Sequence, residues 1–168
     1  EFVGMVVEEL YKLGARKVHI KWNEMTMQKY HVKYQSLKSL STVDSYEEAE
    51  LKFNADVQPA RVMLGSPNPD GLKGVNVAKM SKSQQAKYPI IKPYREAIDG
   101  TTQWTIAAVP GKAWAKKVFP NERSSKAMEM LWEAILSAAR VDDDPIAAWE
   151  KHNADIQKRC EYLTGLNV

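Results

Sequence analysis

Three short strand-like segments recur along this chain, each separated from the next by a stretch with helical spacing. In the first, apolar Val18, Ile20 and Trp22 alternate with polar residues, which is the period of a strand with one packed face. The third stops at Pro110-Gly111. Because strands that alternate with helices typically form a parallel sheet covered by helices, we predict an α/β fold: a mostly parallel sheet with flanking helices and a helical carboxyl-terminal extension. The three segments are 17–22, Arg61–Gly65 and 102–109.

Helical spacing also predicts the elements around the first two strands. Gly14 supplies the positive φ that commonly ends a helix, so the first helix is expected to stop there. A second helix with an irregular start is expected next. Ser45 and Glu48 have the spacing of a capping box, which predicts a third helix. The three ranges are 2–13, 23–40 and 46–54.

The last third of the chain is predicted to be helical. A short helix covers 112–119, Ser124 or Ser125 caps the next helix, and Asp144 caps a long helix over 145–163. Both long helices carry apolar residues at spacings of three and four, which predicts one packed face on each. The two stripes are Ala127, Leu131, Ala134, Ile135 and Ala138, and then Trp149, His152, Ile156, Cys160 and Leu163.

Composition bounds the class of protein. The chain has 168 residues, 44% of them hydrophobic, which is enough for one domain with a substantial core. Its apolar runs are far shorter than the roughly 20 residues that a bilayer span requires, so we expect a soluble, cytoplasmic protein without a membrane partner. The single cysteine, Cys160, excludes an internal disulfide framework and is interpreted as a small buried apolar residue.

One loop and one basic stretch are the candidate binding features. The loop 65–71 follows a predicted strand, where open α/β sheets place ligands, but it matches neither the GxGxxG nor the P-loop pattern. The stretch from Lys73 to Lys92 carries five lysines and no acidic residue. We favour a solvated helix face, or one that meets an acidic surface of the same protein, over phosphate tracking. Pro89 and Pro93 are expected to break this region.

No set of metal ligands is apparent in the sequence. His19, His31 and His152 lie far apart, and none stands in a pattern that would place two ligands on one element. The run 142–144 is three consecutive aspartates, which is explained by the cap and the positive amino-terminal end of the following helix. With a net charge of only +3, the composition does not argue for nucleic acid as a partner either.

A long ordered series of residues lies between Gln103 and Asn153. It consists of Trp104-Thr105-Ile106, Pro110-Gly111-Lys112-Ala113-Trp114-Ala115, Val118-Phe119-Pro120, Leu131-Trp132-Glu133-Ala134-Ile135, Arg140-Val141-Asp142, Asp144-Pro145 and Ala147-Ala148-Trp149. This series resembles the thermophilic metalloaminopeptidase family, of the aminopeptidase T, AmpS and PepS type. Weaker similarity extends back to Phe2.

The resemblance implies an exopeptidase that removes amino-terminal residues from peptides. It also implies two divalent metal ions (zinc, cobalt or magnesium) that activate a water molecule in the parent enzyme. The family's ligands lie in a carboxyl-terminal catalytic domain, so no catalytic, cofactor or metal residue is carried over to this chain.

The resemblance therefore predicts that 1–168 is the amino-terminal, non-catalytic α/β domain, inactive alone. The chain begins inside or just before a helix, so we expect that an upstream part is missing. Its expected partners are the catalytic domain and a second copy in a homodimer, with the peptide substrate bound by the parent enzyme. The alternative is a stand-alone module that binds phosphate or nucleic acid through the Lys73 to Lys92 region.

Overall fold

The computed structural model describes residues 1–141 and 143–166, and it confirms an α/β fold with a parallel sheet and a helical carboxyl-terminal part. The chain divides into two compact units, Glu1–Ala108 and the residues from Val109 onward. The elements are α1 (Phe2–Lys12), α2 (Met25–Tyr34), α3 (Leu37–Leu40), α4 (Ser45–Val57), β1 (Arg61–Gly65), α5 (Val77–Ile98), β2 (Trp104–Ala108), α6 (Lys112–Val118), α7 (Ser124–Ala138) and α8 (Pro145–Gly165).

The sheet of the first unit pairs β1 with β2 in parallel. The register runs from Arg61 opposite Trp104 to Gly65 opposite Ala108. Both strands lie within the segments predicted from the sequence, Arg61–Gly65 and 102–109. Successive residues of a strand point to opposite faces, so Met63 and its partner Ile106 share one face, and both side chains are exposed.

The predicted strand over 17–22 is wrong. The segment has no regular secondary structure and no ladder partner among the described residues. Its contacts are with helices instead: the Val18 amide donates to the Tyr11 hydroxyl at 3.3 Å, and Lys21 Nζ lies 2.6 Å from a carboxylate oxygen of Glu50. Alternation of apolar and polar residues indicates an extended backbone, but a strand also needs a neighbouring strand that local sequence does not specify.

The single helix predicted over 23–40 is also wrong, because the structure divides it into α2 and α3. Gln35 is extended, with ψ 150°, and ends α2. Ser36 is likewise extended and begins α3, where its hydroxyl accepts a hydrogen bond from the Ser39 amide at 3.0 Å. A serine inside a helical pattern competes for main-chain groups and here starts a new helix.

Two predicted caps move by one residue. The capping box of α4 uses Asp44 and Glu47, and a Glu47 carboxylate oxygen accepts from the Asp44 amide at 3.1 Å. Ser45 is the first helical residue. Likewise Arg123 is the cap residue of α7, so Ser124 lies inside the helix. At α4 the adjacent Asp44 and Ser45 can both serve as a cap residue, so the sequence pattern fits two registers, whereas Arg123 makes no side-chain cap hydrogen bond.

The prolines of the basic stretch do not break it. The helix α5 continues through Pro89 and Pro93 to Ile98. A proline inside a helix removes one main-chain hydrogen bond, and tertiary packing has to outweigh that cost. Here α5 packs along α4, where Tyr94 donates to a carboxylate oxygen of Glu48 at 2.9 Å.

The core of the second unit lies between α6 and α7. Ala115, Ala127 and Leu131 are buried together there. Half-buried side chains pack around them, namely Trp114, Phe119, Met128 and Ile135. The predicted stripe of α7 is thus confirmed at Ala127 and Leu131, whereas Ala134 and Ala138 are exposed.

The helix α8 follows the prediction in length but not in burial. Asp144 caps it as expected, accepting from the Ala147 amide at 3.0 Å. Cys160 is exposed, so its interpretation as a buried apolar residue is wrong. None of the described helices combines the length and the apolar content that crossing a bilayer requires.

Candidate functional site

The loop after β1 forms a hydrogen-bonded turn at the carboxyl end of this parallel strand. The Asn68 side-chain oxygen accepts from the Asp70 amide at 3.1 Å, and the Asn68 carbonyl accepts from the Gly71 amide at 3.0 Å. Gly71 is buried, and an added Cβ would approach the Asn68 carbonyl oxygen at 3.1 Å. The residues of the loop therefore serve the turn itself.

The lysines of the basic stretch largely contact the protein's own chain. Lys79 Nζ donates to the main-chain carbonyls of Val32, at 2.6 Å, and of Gln35. Lys87 Nζ lies 3.4 Å from a Glu47 carboxylate oxygen in a half-buried position, and Lys92 pairs with Glu96 one turn along. Of these contacts, the pair of Lys87 with Glu47 of α4 agrees with the interpretation that the stretch meets an acidic surface of the same protein.

A shallow cationic cleft lies where α2 meets the start of α5. It is lined by Lys29, Lys33, Val75, Asn76 and Lys79, among others. The Asn76 side chain caps α5, accepting from the Lys79 amide at 3.0 Å. Sequence reasoning missed this cleft because two of its three lysines, Lys29 and Lys33, come from α2 and not from the basic stretch. The signal that could have found it is the spacing of four between Lys29 and Lys33, which places both on one side of a helix.

The three histidines are not brought together. Each has a local neighbour: His31 Nδ1 lies 3.2 Å from Gln35 Nε2, and the His19 ring packs edge-on against Phe53 at 6.3 Å. His152 is partly buried, in agreement with its place in the predicted stripe of α8, and it is also within hydrogen-bonding distance of an arginine. Its Nδ1 lies 3.0 Å from Arg140 Nη2, and its ring meets Trp149 edge-on.

Carboxylates do not gather into a metal site within the described residues. No group of three or more histidine, cysteine, aspartate or glutamate side chains there could hold an ion together. Of the aspartate run 142–144, Asp144 is engaged in the cap of α8, and Asp142 lies outside the described residues.

Perturbed pKa values in the described part occur at exposed pairs and at one helix cap. The Thr26 hydroxyl, and then its amide, hold the pKa of Glu24 below its usual value. Neighbouring carboxylates raise the pKa of three other groups. These are Lys12 beside Glu9 and Glu8, Lys52 beside Asp56, and Tyr94 beside Glu48. Local hydrogen bonding explains each of them without a catalytic role.

Taken together, the elements define a unit with a parallel sheet and helices, followed by a helical second unit. The family model described as thermophilic metalloprotease (M29) matches residues 1–168. This chain belongs to that family.

Relatives and a solved structure agree. The chain is 33% identical over 166 residues to aminopeptidase PepS of Streptococcus thermophilus and 30% identical over 168 residues to aminopeptidase AmpS of Bacillus subtilis, in each case over 97% of this chain. The structure of wild-type AmpT from Thermus thermophilus superimposes with a TM-score of 0.80, at 28% identity and over 98% of this chain. In all three comparisons the match spans 40% of the other protein.

Proposed function

We propose that this chain is the amino-terminal, non-catalytic domain of a metal-dependent aminopeptidase that removes amino-terminal residues from peptides. The observation that carries the proposal is the family match along residues 1–168, combined with a span of only 40% of the relatives' length. The domain would help to enclose an active site that the rest of the parent protein supplies.

The distribution of possible ligands supports a non-catalytic role. A two-metal site needs several carboxylate and imidazole groups within a few ångströms of both ions. The described residues do not fit such a site, since the histidines are dispersed and each contacts its own neighbours. We therefore assign the two divalent ions to the rest of the parent enzyme and no catalytic step to this chain.

The experiment compares hydrolysis of a leucine chromogenic amide by this chain and by the full-length product of the same gene. Both are assayed with added zinc or cobalt and, as a control, with a chelator. We expect metal-dependent activity in the full-length protein alone. Metal-dependent activity in this chain would overturn the non-catalytic role, and inactivity in both would overturn the aminopeptidase assignment.

Homodimer formation by the parent enzyme is part of the same proposal. Light scattering of the full-length protein would give its mass in solution over a range of concentrations. We expect twice the monomer mass, and a monomer at all concentrations would remove this part of the proposal.

The alternative is a module that binds phosphate or nucleic acid through the Lys73 to Lys92 region. The intramolecular partners of Lys79, Lys87 and Lys92 weaken it, because those ammonium groups are already engaged. Binding of a labelled oligonucleotide that weakens steeply with salt would restore this alternative, since neutralised phosphates release counterions.

A further inference from the structure

The carboxyl half of α8 carries an apolar stripe that nothing in the described structure covers. Ile156 is 42% exposed and Leu163 57% exposed, and Cys160 between them is also exposed. Spacings of four and three place the three side chains on one face of the helix. All described residues from Asn153 to Leu166 are exposed. An apolar helix face in a globular protein normally packs against another element.

The same stripe is anchored at its start. The Trp149 indole donates to the Ala139 carbonyl at 2.9 Å, and Arg140 Nη2 lies 3.0 Å from His152 Nδ1. The exposed part thus continues a face that already contacts the protein. Polar pairs occupy other positions of the helix, such as Lys158 with Asp155. The apolar residues and the paired polar residues of the helix therefore lie at different positions, although both are exposed beyond His152.

We propose that Ile156, Cys160 and Leu163, here called the α8 stripe, dock against the portion of the full-length protein that this chain does not span. The proposal rests on the proposed function. This chain spans 40% of PepS, AmpS and the solved AmpT chain, so a protein of that length has additional polypeptide to cover the stripe.

The size of the stripe favours this occupant over a second copy. A stable interface between separate chains takes roughly 20 to 30 residues a side, far more than one face of half a helix provides. A segment of the same polypeptide pays no comparable association cost, because covalent linkage gives it a high effective concentration. A small apolar surface is therefore sufficient for docking within one chain.

The thiol of Cys160 reports on the contact directly. The full-length protein and the present chain are treated with a small thiol reagent, and labelling of the peptide that contains Cys160 is followed by mass spectrometry. We expect labelling to be at least about tenfold slower in the full-length protein, because reaction requires the docked surface to open. Equal rates in the two proteins would overturn the proposal.

Charge placed on the stripe supplies a second test. In the full-length protein we expect Ile156→Asp to restore fast labelling of Cys160. Ala154→Asp is the matched control, since it adds the same charge on the opposite side of α8, and it should leave the labelling slow. An Ile156→Asp protein that labels as slowly as the unmodified one, with Cys160 intact, contradicts the proposal.

Two further measurements separate the outcomes. Light scattering of the present chain tests the second copy as occupant, and a dimer that Ile156→Asp dissociates would overturn docking within one polypeptide. Aminopeptidase activity of the full-length protein is assayed in parallel. Activity with a freely reactive Cys160 would reject the inference alone, whereas protection without activity would reject the proposed function alone.

Discussion

The ammonium group of Lys79 donates a hydrogen bond of 2.6 Å to the main-chain carbonyl of Val32, two residues before the end of α2. A second bond reaches the Gln35 carbonyl just beyond that end. The last carbonyls of a helix lack partners within it, and a cation there satisfies them and the helix dipole together. Val32 itself is only 4% exposed, so this bond is made beside a packed position.

Replacing Lys79 with methionine keeps the aliphatic stem and removes the donor. We expect Lys79→Met to lower the free energy of unfolding by about 1–2 kcal/mol, because two carbonyls lose a charged partner. Lys82→Met, at an exposed position of the same helix, is the control and should change stability little. Urea denaturation followed by circular dichroism measures both, and equal effects would show that Lys79 contributes only as a surface charge.

The small core between α6 and α7 should be sensitive to loss of volume. Leu131 is 3% exposed and packs with Ala115 and Ala127. We expect Leu131→Ala to cost about 2–4 kcal/mol, since it removes buried methyl groups and leaves a cavity. Leu136→Ala, at a position that is 40% exposed on the same helix, should cost much less. Urea denaturation midpoints of the two variants test this prediction, and equal midpoints would contradict it.

Gln58 ends α4 in the left-handed region, with φ 49° and ψ 55°. Its side chain donates to the Ala97 carbonyl at 3.1 Å, and both Gln58→Gly and Gln58→Ala lose that bond. The difference in stability between the two variants therefore reports the cost of the left-handed backbone conformation alone. We expect the glycine variant to be more stable by about 0.5–1 kcal/mol.

The reverse order should hold at Ser41, which ends α3 with φ −90°. There the alanine variant should be the more stable of the pair, because no left-handed strain offsets the extra backbone freedom of glycine. The same order at both positions would show that the conformation of Gln58 costs nothing. Urea denaturation of the four variants supplies the comparison.

The start of α2 should respond to acid. Because the pKa of Glu24 is lowered in the folded chain, its stabilising effect is present above the ordinary value and is lost as pH falls through the lowered one. We expect exchange of the Thr26 amide with solvent, corrected for its intrinsic pH dependence, to accelerate below about pH 4. The Ser39 amide, held by the Ser36 hydroxyl, is the internal control. Glu24→Gln should remove the difference between the two amides.

Local patterns predicted much of the fold. Both observed strands follow from short apolar runs bounded by proline or glycine, and Gly14 has the positive φ, 92°, that its position predicted. Two of the failures depend on contacts at longer range. Whether 17–22 becomes a strand depends on a neighbouring strand, and whether α5 survives Pro89 depends on its packing against α4. Neither is encoded within the segment itself.

The same limit applied to the candidate site. The position of the loop after β1 could be predicted, because a strand followed by Gly65-Ser66-Pro67 leaves few alternatives. The role of Lys79 could not be predicted, since its acceptors lie at the end of α2 and just beyond it, more than 40 residues away along the chain. Cys160 shows the converse case, in which an apolar spacing suggested burial but no element in the described structure covers it.

The pairing of β1 with β2 has a practical consequence for handling the protein. With no third strand among the described residues, each strand has one side whose amides and carbonyls meet no other strand. Such strand edges can pair with extended polypeptide from neighbouring molecules. The exposed side chains of Met63 and Ile106 add apolar surface beside these edges. We therefore expect the solubility of the chain during purification to depend on how these two strand edges are shielded, and a soluble extended peptide added in excess should compete for them.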